Sequence, residues 1–243
     1  MSANNNAPMH EGHRERLKNR FVAEGLDHFE PHVILELILF YAVPRRDTNP
    51  IAHDLLKRFG GSLSRVFDAP LEELVKTDGV TMNSAVLIKL FPEVCRRYLL
   101  DFDVVSEVVK NSSDAARRLV PLFLGKTNEV VAIMCIDSKG KVLFCSGIFE
   151  GSVSAAQVSV RRVVEVAVRY ATTDVILAHN HPSGTAIPSE QDVFITQRIA
   201  EALGTVNINL VDHIIVADHD WVSLAATPSL SDIFPAKNGF IIG

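Results

Sequence analysis

Hydrophobic positions in the first hundred residues recur at helical spacing, and turn residues cut them into segments. Glu30-Pro31 precedes an apolar helix that reaches about residue 41 and is stopped by Pro44. Asn49 is placed to cap a second helix with Pro50 at its first position, closing after Phe59 at Gly60-Gly61. A further helix is expected over about 70–76, followed by a tight turn at Asp78-Gly79. Another then runs from about 82 to 99, where Pro92 should kink or break it.

Past residue 112 the pattern changes. A helix should start after Ser113-Asp114, and then come two β-branched runs, EVVAIMCID at 129–137 and KVLFCSGIF at 141–149. Ser138-Lys139-Gly140 between them predicts a hairpin. Positions 160, 163, 164, 167, 168 and 171 form an apolar stripe opposite Arg161, Arg162, Glu165 and Arg169, the signature of an amphipathic helix. Residues 174–179 read as a buried strand, 189–203 as a helix ended by Gly204, 206–216 as a strand and 221–224 as a short final strand. The fold class is therefore α/β (α+β), with helices first and strands later. The expected organisation is a disordered tail at 1–10, a helical domain at 11–103, a linker at 104–112, a second domain at 113–228 and a C-terminal tail at 229–243.

Composition narrows the possibilities. With 243 residues, 47% of them apolar and 22% charged, the chain can bury a sizeable core. The run from 33 to 43 is broken by Glu36 and is far shorter than the roughly 20 residues of a membrane-spanning helix, so no membrane role is expected. The polar start MSANNNAPM lacks the features of a secretory signal, which points to the cytoplasm. Net charge is −5, and neither half is basic, so any nucleic-acid contact must rest on a local patch. Cys95, Cys135 and Cys145 show no C-x-x-C spacing and read as reduced core residues.

The chemistry concentrates in HNHPSGTAIPSEQD, residues 179–192. His179 and His181 stand one residue apart at the end of a strand, so both imidazoles project to one side. Pro182, Gly184 and Pro188 force a loop, and Ser189 opens a helix with Asp192 in its first turn, where a carboxylate can return to the histidines. Two imidazoles and a carboxylate suit Zn²⁺ with a fourth position left for water. Read alone, Ser189-x-x-Asp192 is close to a capping box, and a lone His-x-His is a weak signal.

Together, H-x-H-P, a Ser that follows the second His after seven intervening residues, and S-x-x-D match the JAMM (MPN+) metallopeptidase motif. The HNHPSG form, with PSxxD and the later LVDHIIVAD, resembles the RadC family over nearly the whole chain. GHRERLKNRF at 12–21, ILELILFYAVPRRD at 34–47 and TDGVTMNSAVLIK at 77–89 are similar to that family's helical domain. The resemblance implies an all-helical, helix-hairpin-helix-like domain followed by a JAB/MPN-type domain, whose mixed central β-sheet is flanked by helices. It also implies zinc ligation by His179, His181 and Asp192, an oxyanion-binding role for Ser189, and proton transfer by Glu129. The implied activity is metallopeptidase-type hydrolysis of a peptide or protein. The alternative is a DNA repair or recombination accessory that binds DNA through the helical domain, with the metal domain as scaffold.

The string is not the HNH nuclease motif, whose residues lie far apart, and the P-C-x-x-C of zinc deaminases is absent. Ser159-Val160-Arg161-Arg162 departs from the His-Pro-Arg-Glu usual in the family. Asp212-His213 reads as hydrogen-bonding support for the site rather than direct ligation. The hairpin at 77–81 has Thr81 where a second glycine is usual, which restricts close approach to a phosphate. Arg45-Arg46 and the Arg14, Arg16, Lys18 and Arg20 set are the basic edges available for such contact. Neither substrate identity nor oligomeric state is carried by a recognisable motif.

Overall fold

The computed structural model describes residues 8–44, 46–102, 108–151, 160–182, 184–218 and 220–234. The chain divides into two compact units, one up to Val94 and one from Cys95. The division falls inside a helix, ahead of the linker expected at 104–112, of which residues 104–107 lie outside the described residues.

The first unit contains α1 (Pro8–Glu24), α2 (Pro31–Leu39), α3 (Asn49–Arg58), α4 (Leu63–Asp68), α5 (Leu71–Leu74) and α6 (Met82–Phe102), the last continuing past Val94. Helix α1 already begins at Pro8, within the stretch expected to be a tail. Pro31 opens α2, and the extended backbone of Glu30 before it ends the preceding segment. Thr48, not Asn49, is the residue that precedes α3. The Asn49 side chain is drawn instead to the buried Glu36, donating to Oε2 at 3.0 Å, and His13 Nε2 meets Oε1 at 2.9 Å. The helix expected at 70–76 shortens to one turn, because Lys76 and Thr77 already bond three residues back as the chain enters the Asp78-Gly79 turn. Helix α6 runs through Pro92. Leu35, Leu39, Leu55, Leu74 and Ile88 form the centre of this unit's core.

Two of the basic residues read as a possible edge brace the fold. Arg14 donates to the carbonyls of Phe40, Val43 and Arg46, and Arg20 donates to the carbonyl of His28. Arg46 lies 3.6 Å from Asp78. Arg45 lies outside the described residues.

In the second unit α7 (Ser112–Leu119) starts one residue ahead of Ser113-Asp114, because Asn111 Oδ1 accepts from the Asp114 amide at 2.7 Å and so caps the helix. Then follow β1 (Glu129–Ile136), β2 (Val142–Gly151), α8 (Val160–Arg169), β3 (Asp174–Asn180), α9 (Glu190–Gly204), β4 (Asn209–Ala217) and β5 (Asp220–Ser223). The strands form one sheet in the order β2-β1-β3-β4-β5, with β3 and β4 parallel and every other neighbouring pair antiparallel. Helix α9 is thus the crossover between two parallel strands. Gly204 remains within α9, and Asn207, at φ +58°, turns the chain so that β4 starts three residues later than the expected strand.

Strand alternation divides the core. Ala132, Met134, Ile136, Ile176 and Ala178 pack with Ala115, Ala116 and Leu119 of α7. Ile133, Cys135, Val175, Leu177 and Ile215 pack with Val163, Val166 and Ala167 of α8 and Ile199 and Leu203 of α9. Phe234 is buried in this second cluster, so the region expected as a C-terminal tail packs at least as far as that residue. Burial pushes the Cys135 thiol up to about 12, as for an inert core residue, whereas Cys95 is exposed and does not belong to the core. No helix among the described residues is long and apolar enough to cross a membrane.

Candidate metal centre

The period-two rule fixes which face receives the histidines. His179 has the parity of Val175 and Leu177, so it projects to the α8/α9 face, and His181, two residues on, follows it. The intervening loop bends at Gly184, φ +83°, and returns the chain to Ser189, the residue that caps α9. Asp192 therefore rises from the first helical turn directly against the strand end.

The three side chains converge. His179 Nε2 and His181 Nε2 are 2.9 Å apart, His179 Nε2 lies 3.1 Å from Asp192 Oδ1, and His181 Nε2 lies 3.4 Å from Asp192 Oδ2. Donors bound tetrahedrally to zinc at 2.0–2.1 Å stand about 3.3 Å from one another. The separations match that value within a few tenths of an ångström, and two imidazoles with one carboxylate are an appropriate donor set. Among the described residues this is the group of three ligand-type side chains able to hold one ion.

Asp192 does double duty. Its Oδ2 accepts from the Ser189 amide at 2.8 Å and from Ser189 Oγ at 2.6 Å, while its own amide donates to Ser189 Oγ at 3.2 Å. This is a complete capping box. The bland reading of Ser189-x-x-Asp192 and the metal reading thus describe the same geometry, because the cap aims the carboxylate.

Charge follows this arrangement. Burial pushes the Asp192 carboxyl up, but hydrogen bonds from His179 and His181, the charge of His179 and the hydrogen bond from Ser189 outweigh it, so its pKa falls well below the usual carboxylate range. The hydrogen bond to Asp192 raises the pKa of His181 above its ordinary value, against burial and aided by the Thr185 carbonyl and the charges of Asp192 and Glu129.

Glu129 begins β1. The β1–β3 register ends at Val131 opposite His179; Glu129, two residues before Val131, has the same parity and so belongs to the same face of the sheet, and its charge acts on His181. The backbone ladder ends there, and the Asn180 side chain continues it. Its Oδ1 accepts from the Val130 amide at 2.7 Å and its Nδ2 donates to the Asn128 carbonyl at 3.0 Å, so both peptide neighbours of Glu129 are held.

His213, on β4, approaches His179 from behind, with His213 Nε2 2.9 Å from His179 Nδ1. On its far side His213 Nδ1 lies 2.6 Å from Thr196 Oγ1 of α9. The neighbouring Asp212 is fully buried and accepts from Ser223 Oγ and from the amides of His213 and Ala225, which ties β4 to β5. Arg161 pairs with Glu165 on the exposed face of α8, and Ser159 and His219 lie outside the described residues. Asn180, Thr185 and Thr196 were not singled out from the sequence. The middle residue of His-Asn-His carries a hint of its part, since a polar side chain alternating away from the histidines at a buried strand end needs partners of its own.

A family model described as RadC-like JAB domain matches residues 109–229. A UPF0758 protein of Fusobacterium nucleatum is 31% identical over 222 residues, covering 88% of this chain and 94% of that protein. A UPF0758 protein of Nitrosococcus oceani is 34% identical over 218 residues, covering 90% of this chain and 95% of that protein.

Proposed function

The chain belongs to the RadC family and carries its JAB domain, and from that premise we propose that it is a zinc-dependent hydrolase of the JAMM class acting on an amide bond in a peptide or protein. The observation that carries this reading is the convergence of His179, His181 and Asp192 at ligand spacing with Glu129 beside them. Zinc held by the three donors supplies Lewis acidity and a water of lowered pKa.

The remaining work falls to the chain. Water adds to the carbonyl carbon and the C–N bond breaks, while Glu129 takes a proton from the attacking water and delivers it to the leaving nitrogen. Ser189 is exposed at the helix start, and its hydroxyl is the proposed donor to the developing oxyanion. To serve, it turns its proton away from Asp192 Oδ2, which retains the bond from the Ser189 amide. His213 supports His179 from behind and leaves the open side of the site to substrate.

The alternative of DNA binding through the helical unit has less to draw on, since Arg14 and Arg20 are spent on backbone carbonyls and Arg46 faces Asp78. A peptide-library cleavage screen with and without chelator tests the hydrolase reading. Chelator-sensitive cleavage that disappears in Glu129→Gln supports it. A zinc-loaded chain that cleaves no member of the library, or one whose cleavage survives in Glu129→Gln, contradicts it.

A further inference from the structure

We infer that Thr196 is a positioning residue: through His213 it fixes which nitrogen of His179 carries the proton, and so presents the His179 Nε2 lone pair to the metal position. The inference rests on the metal reading above and adds to it the element that prepares one ligand.

The argument is a matter of hydrogen-bond polarity. A threonine hydroxyl has one proton to give and lone pairs with which to accept. Thr196 Oγ1 lies within hydrogen-bond reach of the Asp192 carbonyl oxygen, which can only accept, so the hydroxyl proton is committed there. Toward His213 Nδ1, 2.6 Å away, the same oxygen must then act as acceptor, and His213 Nδ1 must carry a hydrogen. His213 is 3% exposed, and its two ring nitrogens meet Thr196 Oγ1 and His179 Nδ1, neither of them a carboxylate to offset a buried charge, so the ring holds a single N–H. Its Nε2 is therefore a lone pair, which accepts from His179 Nδ1 at 2.9 Å. With the proton on Nδ1, a neutral His179 offers Nε2 as a ligand.

His181 reaches the same tautomer by a shorter route, since its Nδ1 lies 2.9 Å from the Thr185 carbonyl, again a pure acceptor. Both imidazoles thus turn Nε2 toward Asp192. The longer route starts and ends at one residue. It leaves from the carbonyl of Asp192 and runs through Thr196 and His213 to His179, whose Nε2 lone pair then faces the carboxylate of the same residue at 3.1 Å across the metal position. Helix α9 and strands β3 and β4 are linked by this chain of hydrogen bonds in the interior, where Thr196 is fully buried. A valine has the same shape as threonine but no hydroxyl, and it leaves His213 Nδ1 without its acceptor. Either tautomer of His213 then becomes available, and with it either tautomer of His179.

The test uses the full chain as wild type, Thr196→Val and Thr196→Ser. Long-range proton–nitrogen spectra of the metal-free chains at a pH where the imidazoles are neutral report which ring nitrogen is protonated. Zinc affinity is read by competition with a chromophoric chelator. The wild type and Thr196→Ser should show His179 and His213 protonated at Nδ1, with zinc affinities within about threefold of each other. Thr196→Val should show mixed tautomers and bind zinc about 10–100-fold more weakly, the range that loss of such support typically costs. A wild type with His179 protonated at Nε2, or a folded Thr196→Val chain that binds zinc as tightly as the wild type, overturns the inference. If instead the wild type takes up no zinc while His179 carries its proton on Nδ1, the metal reading fails and the tautomer assignment stands.

Discussion

Asn180 grips the backbone on both sides of Glu129, accepting from Val130 and donating to Asn128, at the point where the β1–β3 ladder gives out. The residue between the two histidines therefore sets the place of a glutamate far from it in sequence. Asn180→Ala removes both bonds and leaves a buried amide unpaired, at a cost of about 1–3 kcal/mol. Denaturant titration should show that loss, while zinc content stays at the wild-type level and cleavage falls in parallel with Glu129→Gln. Wild-type cleavage in a folded Asn180→Ala chain would remove Asn180 from this role.

The pH dependence of zinc uptake follows from His181. Its pKa is raised above the ordinary 6.5, chiefly by the hydrogen bond to Asp192, so in the metal-free chain it holds its proton to higher pH than a free imidazole does. A ligand must be deprotonated to bind, so zinc affinity should fall as pH drops through and below that raised value, and uptake near neutrality should release protons. Isothermal titration in buffers of different ionisation enthalpy measures the release. Proton-independent uptake between pH 6 and 7.5 would contradict it.

The metal-free chain should also lose stability in acid through Asp192. A carboxyl whose folded pKa lies below its unfolded value contributes stability above the unfolded pKa and loses it as pH falls through the folded one. His181 has the opposite sign. Its raised pKa adds stability below the unfolded value, and the gain is lost as pH rises through the folded one. Asp192→Asn should flatten the acid limb of the unfolding curve; an unchanged acid limb would show that the pair contributes nothing.

Much of this was legible beforehand. The hairpin of β1 and β2, the strand carrying His179 and the helix that follows Ser189 all follow from alternation and turn residues. The N-terminal signals were less decisive where tertiary partners intervened. Asn49 has the chemistry of a cap, yet the buried Glu36 claims its side chain and Thr48 takes the place before α3. Likewise Arg14 and Arg20 look like a basic edge until the carbonyls they serve are seen. At the site, ligand spacing is a local property and readable, whereas Asn180 to Asn128, Thr196 to His213 and His213 to His179 are long-range hydrogen bonds that no local pattern encodes.

Ser189→Ala separates the two duties of that hydroxyl. Loss of the cap should cost about 0.5–2 kcal/mol in unfolding free energy, and zinc affinity should weaken because Asp192 loses a partner. At saturating zinc the variant should still cleave more slowly than wild type if the hydroxyl serves the oxyanion. Full activity once zinc is restored would leave it with the cap alone.

Gly79 offers a control remote from the metal. It sits at φ +81°, and a Cβ there would stand 2.8 Å from Ile51 Cδ1, so Gly79→Ala should destabilise the helical unit by more than about 1 kcal/mol. Zinc content of the folded chain should not change; a parallel loss of zinc would contradict the assignment of metal binding to the second unit.

The central claim is that His179, His181 and Asp192 hold one zinc ion, and elemental analysis of the purified full-length chain tests it most directly. After exposure to stoichiometric zinc and removal of the excess, the wild type should retain close to one zinc per chain, and His181→Ala and Asp192→Ala should retain almost none. Equal zinc in wild type and in both variants would contradict the account.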